Sequence, residues 1–216
     1  AFAYGYPEAD ADICGVPGAP SPVRCYELAL EYGFACLEIN PAWTSRISLT
    51  DGEIERKVAA ALNPTDLPCL QQVIPAWIWW VEERGPSAHL YLESIRSLSQ
   101  RSLELEPGNW VGAWGMAMSY ALPPPLAAPD LKEAERWFEV ATKQQEAAIP
   151  YVDRIRYLEK RAGKDSVVRQ DARDLIAQIS KGDFSDDWAL ENLSAADRLQ
   201  ALLEKPDEAA AGADAE

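Results

Sequence analysis

The stretch PAWIWWVEE, Pro75 to Glu83, places Trp77, Trp79 and Trp80 within four residues. On an α-helix, at ~100° per residue, Trp77, Trp80 and Val81 share a face, while Trp79 points about 200° away from Trp77. A helix that is apolar on opposite sides is sandwiched between neighbours. Thr65 to Arg84 reads as one helical segment. Pro68 is tolerable in its first turn, and Pro75 predicts a kink or a restart. The apolar run is shorter than the ~18–20 residues that cross a bilayer, and it ends in Glu82 and Glu83.

Working outward, the chain reads as helices between Pro, Gly and Asn breaks. Ser21 and Pro22 suit an N-cap and a first turn. Leu28, Tyr32, Ala35, Cys36 and Ile39 then follow at helical spacing, and Pro41 closes the segment. Thr50 and Glu53 form a capping box before IERKVAAAL, and Asn63-Pro64 is a break. Gly85-Pro86-Ser87 precedes a helix over 88–105, and Asn109 caps one over 110–122. PPPLAAP is a rigid loop. Asp130 with Glu133 caps a helix predicted to reach Ala148. Pro150 begins another, to about Ala162, and segments 165–180 and 186–204 complete the set. Little β-branched alternation supports strands. Residues 1–20, rich in Ala, Gly, Pro and Asp, read as an extended arm, 21–205 as one helical domain, and 206–216 as a disordered acidic tail.

CLEINPAW (Cys36 to Trp43) resembles SLELEPGNW (Ser102 to Trp110). Pro41 and Pro107 are separated by roughly twice the ~34-residue period of tetratricopeptide repeats. From Pro107 to Pro150 is one period plus an insertion, for which PPPLAAP is the obvious loop. The fold class expected is therefore all-α, with TPR-like helical repeats; an ordinary bundle with Pro-terminated helices is the rival. In the next helix, Trp110, Trp114 and Met118 form a stripe. Gly112, Gly115 and Ser119 form a small-residue face, which suits close approach of another helix or room for a ligand. Trp77, Trp79, Trp80, Trp110, Trp114 and Met118 are accordingly the candidates for a groove taking a small hydrophobic ligand or a partner segment, with core packing as the plain alternative.

The 216 residues carry a net charge of −15. Nucleic acid, whose phosphates demand Lys and Arg, is disfavoured, as is an anionic membrane surface. With one histidine, His89, no Ser-His-Asp, Cys-His or metal-ligand set can be argued. No phosphate-cradling glycine motif is present. The reading expects no enzyme, no cofactor and no metal. Cys14, Cys25, Cys36 and Cys69 form no CxxC motif. Cys25 and Cys36, about three turns apart on one helix, are too distant to bond each other. Two disulfides would pair them with Cys14 and Cys69 in either order, as suits an oxidising compartment; four buried thiols are the other option.

Four stretches carry a family resemblance: LALEYGFACLEINPAW (Leu28 to Trp43), TDLPCLQQVIPAWIWWVEE (Thr65 to Glu83), RSLELEPGNWVGAWG (Arg101 to Gly115) and WALENLSAADRLQALLEK (Trp188 to Lys205). In that order they resemble the T-component (TatT) family of tripartite ATP-independent periplasmic (TRAP) transporters. The four cysteines, the arm and the Trp79-Trp80 pair depart from that pattern. The resemblance implies an all-helical, non-catalytic periplasmic protein, often lipid-anchored; a homo-oligomer or a place in a larger complex would be consistent with it. It would act beside the transporter's solute-binding protein, with a groove or pore for a small hydrophobic ligand. The alternative is a scaffold subunit of an extracytoplasmic assembly.

Overall fold

The computed structural model describes residues 22–43, 56–122, 128–143, 145–159 and 165–204. The arm, Cys14, the Thr50–Glu53 capping box and the acidic tail lie outside them. Every regular element among the described residues is helical. The chain divides into two compact units, Ala1–Ala141 and Thr142–Glu216, a boundary that falls inside the single domain expected for 21–205.

In the first unit, α1 (Pro22–Leu37) packs against α3 (Leu67–Arg84), and α3 packs in turn against α4 (Leu92–Leu105) and α5 (Trp110–Ala121). A single turn, α2 (Arg56–Ala59), touches α4. α6 (Leu131–Thr142) follows α5 and buries Ala134, Phe138 and Ala141 on one stripe.

Local chemistry sets most of the boundaries. Asn63 caps a 3-10 turn (Pro64–Asp66): its side chain accepts from Thr65 N–H, and Asp66 returns a bond to Asn63 N–H. The buried Asp66 carboxylate also accepts from Asn40 Nδ2 at 2.6 Å, tying this turn to the end of α1. Asn109 Oδ1 accepts from Gly112 N–H at 2.9 Å and starts α5, and Asp130 does the same for α6 through Glu133 N–H. Gly85 takes φ +71° at the end of α3, a left-handed value that residues other than glycine rarely adopt. It opens a 3-10 segment (Gly85–Tyr91) ahead of α4.

α3 has no solvent face over its middle: Val73 to Val81 are all buried. It passes through Pro75 as one helix, so the predicted restart does not occur. Pro75 itself is buried among the residues that hold the helix in place.

The face that α1 buries differs from expectation. Tyr26, Leu30, Phe34 and Leu37 enter the core, whereas Tyr32 and Ile39 are 75 % and 81 % exposed. Both stripes are apolar, so spacing alone could not choose between them. Gly33 decides: a Cβ there would stand 2.5 Å from Val73 Cγ2, so only the glycine side of α1 can meet α3 this closely.

Cys36 and Cys69 are disulfide-bonded, with Cα atoms 5.8 Å apart, joining the end of α1 to the start of α3. Cys25 is disulfide-bonded as well. Of the two orders open at sequence level, the structure gives Cys36 the partner Cys69. Closing a loop with a sequence separation of 33 removes roughly 3–4 kcal/mol of unfolded-chain entropy.

The second unit holds α7 (Ile149–Arg154), continued by a π turn (Ile155–Glu159), then α8 (Asp165–Lys181), a 3-10 turn (Asp186–Trp188) and α9 (Ala189–Glu204). α9 packs on both α7 and α8. α6 ends at Thr142, short of the predicted Ala148, and the backbone groups of Thr142, Glu146 and Ala148 find partners outside a helix. Tyr151 Oη donates to the Thr142 carbonyl at 2.6 Å. Asn192 Oδ1 accepts from Ala148 N–H at 2.9 Å. Ser185 N–H donates to the Glu146 carbonyl.

The small-residue face of α5 meets its neighbours at close range. A Cβ on Gly115 would lie 2.2 Å from Ser99 Oγ of α4 and 2.7 Å from Ile74 Cγ2 of α3. Gly115→Ala is therefore expected to destabilise by about 1–3 kcal/mol through overpacking, despite better helix propensity. Chemical denaturation should show a lower midpoint; a gain in stability would mean the helices are not in this contact.

Candidate functional site

All six residues singled out as groove candidates lie in the interior. Trp77, Trp110, Trp114 and Met118 are at most 1 % exposed, and Trp79 and Trp80 are below a tenth. The structure brings the five tryptophans into two aromatic groups along α3. In one, Trp77 meets Phe34 of α1 edge to face at 5.3 Å and Tyr91 at 6.0 Å, and Tyr91 meets Trp80 at 5.4 Å. In the other, Trp79 lies 6.0 Å from Tyr26 of α1 and 5.8 Å from Trp114 of α5, and Trp114 continues to Trp110 at 6.3 Å. Each such pair contributes about 0.5–1.5 kcal/mol beyond its burial. Trp79, the ring turned away from Trp77, thus lies between two neighbouring helices. Trp77 Nε1 is buried without a hydrogen-bond partner, so this ring contributes volume rather than polar recognition.

An open concavity lies elsewhere in the first unit, with a volume of about 510 Å³. Its wall from α4 is polar: Glu93, Arg96, Ser97, Gln100, Arg101 and Glu104. Met116 and Tyr120 of α5 and Ala59 and Ala60 beside α2 complete it. The α4 side chains recur at three- and four-residue intervals, which aligns them along one face of that helix.

Two arginines build this wall. Arg96 donates from Nε to Ser119 Oγ (3.3 Å) and from Nη2 to the Ser119 carbonyl (3.2 Å), an acceptor near the end of α5. Its guanidinium sits 4.1 Å from the Tyr120 ring centroid, and Nη1 meets Glu93 at 2.6 Å. Arg101 donates from Nε to the Leu62 carbonyl at 3.0 Å and pairs with Glu104 at 2.9 Å. The guanidiniums are largely covered while Glu93 and Glu104 are half exposed. The arginines position α4, and Gln100, Ser97 and the two carboxylates face the opening. Sequence reasoning missed these residues, because a polar stripe on an amphipathic helix is the ordinary signature of a solvated face.

Among the described residues, two carboxyls have displaced pKa values. Burial pushes Glu27 of α1 up, but the neighbouring Arg84, Arg24 and Trp80 side chains outweigh it and hold the group below 4.5. Arg84 donates directly to Glu27, joining α1 to the end of α3. In the second unit, burial raises Glu191 above 4.5. His89 is buried in the 3-10 segment before α4.

Among the described residues, no group of His, Cys, Asp and Glu could hold a metal ion, and no helix is long and apolar enough to cross a membrane. No family model, curated protein or solved structure matches the chain.

Glu191 supplies a test of the second unit. Its raised folded-state pKa means that the charged form is penalised at neutral pH, a cost that vanishes once both states are protonated. Glu191→Gln is expected to raise the unfolding midpoint at pH 7. The gain should shrink as pH falls through the raised value and disappear below about 4.5. A gain independent of pH would show that burial of the charge is not its source.

Proposed function

We propose that the chain is a non-catalytic binding or adaptor protein of an extracytoplasmic compartment, recognising another protein through a TPR-like helical platform. The observation that carries this reading is the concavity of the first unit. Its α4 wall offers amide, hydroxyl and carboxylate groups in a row, held by two arginines anchored to backbone carbonyls. Such a row suits the backbone and polar side chains of a protein segment, while Met116 and Tyr120 supply local apolar contact. The disulfide between α1 and α3 suits an oxidising compartment. The specific form we favour is the T-component role implied by the resemblance, with a periplasmic solute-binding protein of a TRAP transporter as the partner.

The test is retention of purified TRAP solute-binding proteins on the immobilised full-length chain. A partner should bind saturably, and Gln100→Ala combined with Glu104→Lys should weaken it by about tenfold, the loss of one good interfacial anchor. Failure to retain any such protein would remove the transport role. Retention unaffected by the double substitution would move the contact away from the concavity.

A further inference from the structure

α1 carries two of the chain's four cysteines, one near each end: Cys25 in its first turns and Cys36 just before its close. Cys36 is bonded to Cys69 at the start of α3. Cys25 is also disulfide-bonded, and no cysteine is free. A sulfur takes one disulfide partner, so the Cys36–Cys69 bond removes both of its members from the choice.

Distance closes the same routes independently. Three turns of α1 separate Cys25 from Cys36, about 16 Å along the axis. A disulfide needs Cα atoms within about 7 Å. Cys69 has its Cα 5.8 Å from that of Cys36, which leaves it about 10 Å or more from Cys25. In the folded first unit Cys25 therefore reaches neither, and Cys14 is the remaining cysteine of the chain.

The α1 side of this second bond is well anchored. Cys25 is 8 % exposed, and Tyr26 beside it is buried against Trp79. The α1–α3 contact has its own supports: Phe34 against Trp77, Gly33 against Val73, and Arg84 on Glu27. None of these involves a residue before α1. Residues 1–13 carry Glu8, Asp10 and Asp12 with Phe2, Tyr4 and Tyr6, and no Lys or Arg.

We propose that Cys14 and Cys25 form a second disulfide, a tether that binds the acidic, aromatic N-terminal segment covalently to the head of α1 and that thiols can release while the α1–α3 packing stays intact. In closing, the two thiols lose two protons and two electrons to the disulfide of a thiol oxidant, whose sulfurs leave as thiols through a mixed disulfide. In opening, a dithiol returns two electrons and two protons to the Cys14–Cys25 bond and leaves as its own disulfide.

Peptide mapping of the unreduced full-length chain tests the pairing. Free thiols are first blocked with N-ethylmaleimide. Trypsin alone is insufficient, because Cys25 and Cys36 share the peptide 25–46. Trypsin with glutamyl endopeptidase separates them, placing Cys14 in 9–24, Cys25 in 25–27, Cys36 in 32–38 and Cys69 in 58–82. The expected masses are 25–27 joined to 9–24 and 32–38 joined to 58–82, each pair parting on reduction. Peptide 25–27 joined to 58–82 or to 32–38, or carrying the maleimide, would overturn the pairing. So would covalent dimers on unreduced denaturing electrophoresis, which would place the Cys14 bond between copies. Cys14→Ser tests the release. Its near-ultraviolet circular dichroism, which reports the packed Trp rings, is expected to match that of the parent chain, with one maleimide taken up per denatured chain, on 25–27. Loss of that signal would make the bond part of the core rather than a tether.

Discussion

The first unit depends on one constraint: over Val73 to Val81, α3 has no face left for water. A helix that buries Trp on both sides must be contacted from both sides at once. The contacts come from α1 through Phe34 and Tyr26, from α5 through Trp114, and from Tyr91 just ahead of α4. Glycine sets how near the helices stand. Gly33 admits Val73, and Gly115 admits Ser99 and Ile74. Large rings on the central helix and missing side chains on its neighbours are two halves of one packing solution.

That solution shapes the functional reading. Rings enclosed on every side supply stability, and the proposed binding role rests on surfaces that remain open. The α4 wall, built on the same rigid frame, is polar and held by Arg96 and Arg101 bonded to carbonyls of other segments.

Much of this was legible in the sequence. The divergent directions of Trp77 and Trp79 follow from helix geometry, and in the structure the two rings join different aromatic groups. Asn109 and Asp130 announced helix starts by their type and position, and Asn63-Pro64 announced a break, where the structure adds a capped 3-10 turn. Gly112 and Gly115 announced a close approach. The rest was hidden for physical reasons. α1 carries two apolar stripes, and only the three-dimensional fit at Gly33 chooses between them. Residues 143–148 are mostly good helix formers, so nothing local signals the stop at Thr142. The stop depends on Tyr151, Ser185 and Asn192, which lie far along the chain or across a turn. The concavity was hidden because Arg96 and Arg101 look like any surface arginines until their carbonyl acceptors are known. The repeat at Cys36–Trp43 and Ser102–Trp110 correctly marks two helix ends, each followed by a buried Trp. The stacking of whole repeats is a separate matter from those ends.

Amide hydrogen exchange resolved along α3 addresses the central constraint directly. If the sandwiched helix organises the first unit, the amides of Ile74 and of Ala76 to Val81 should exchange only through global unfolding of that unit, among its slowest. They should also slow further with every change that stabilises it. Exchange of these amides at rates matching the exposed face of α4, through local opening, would contradict the account and leave the Trp rings available to a ligand.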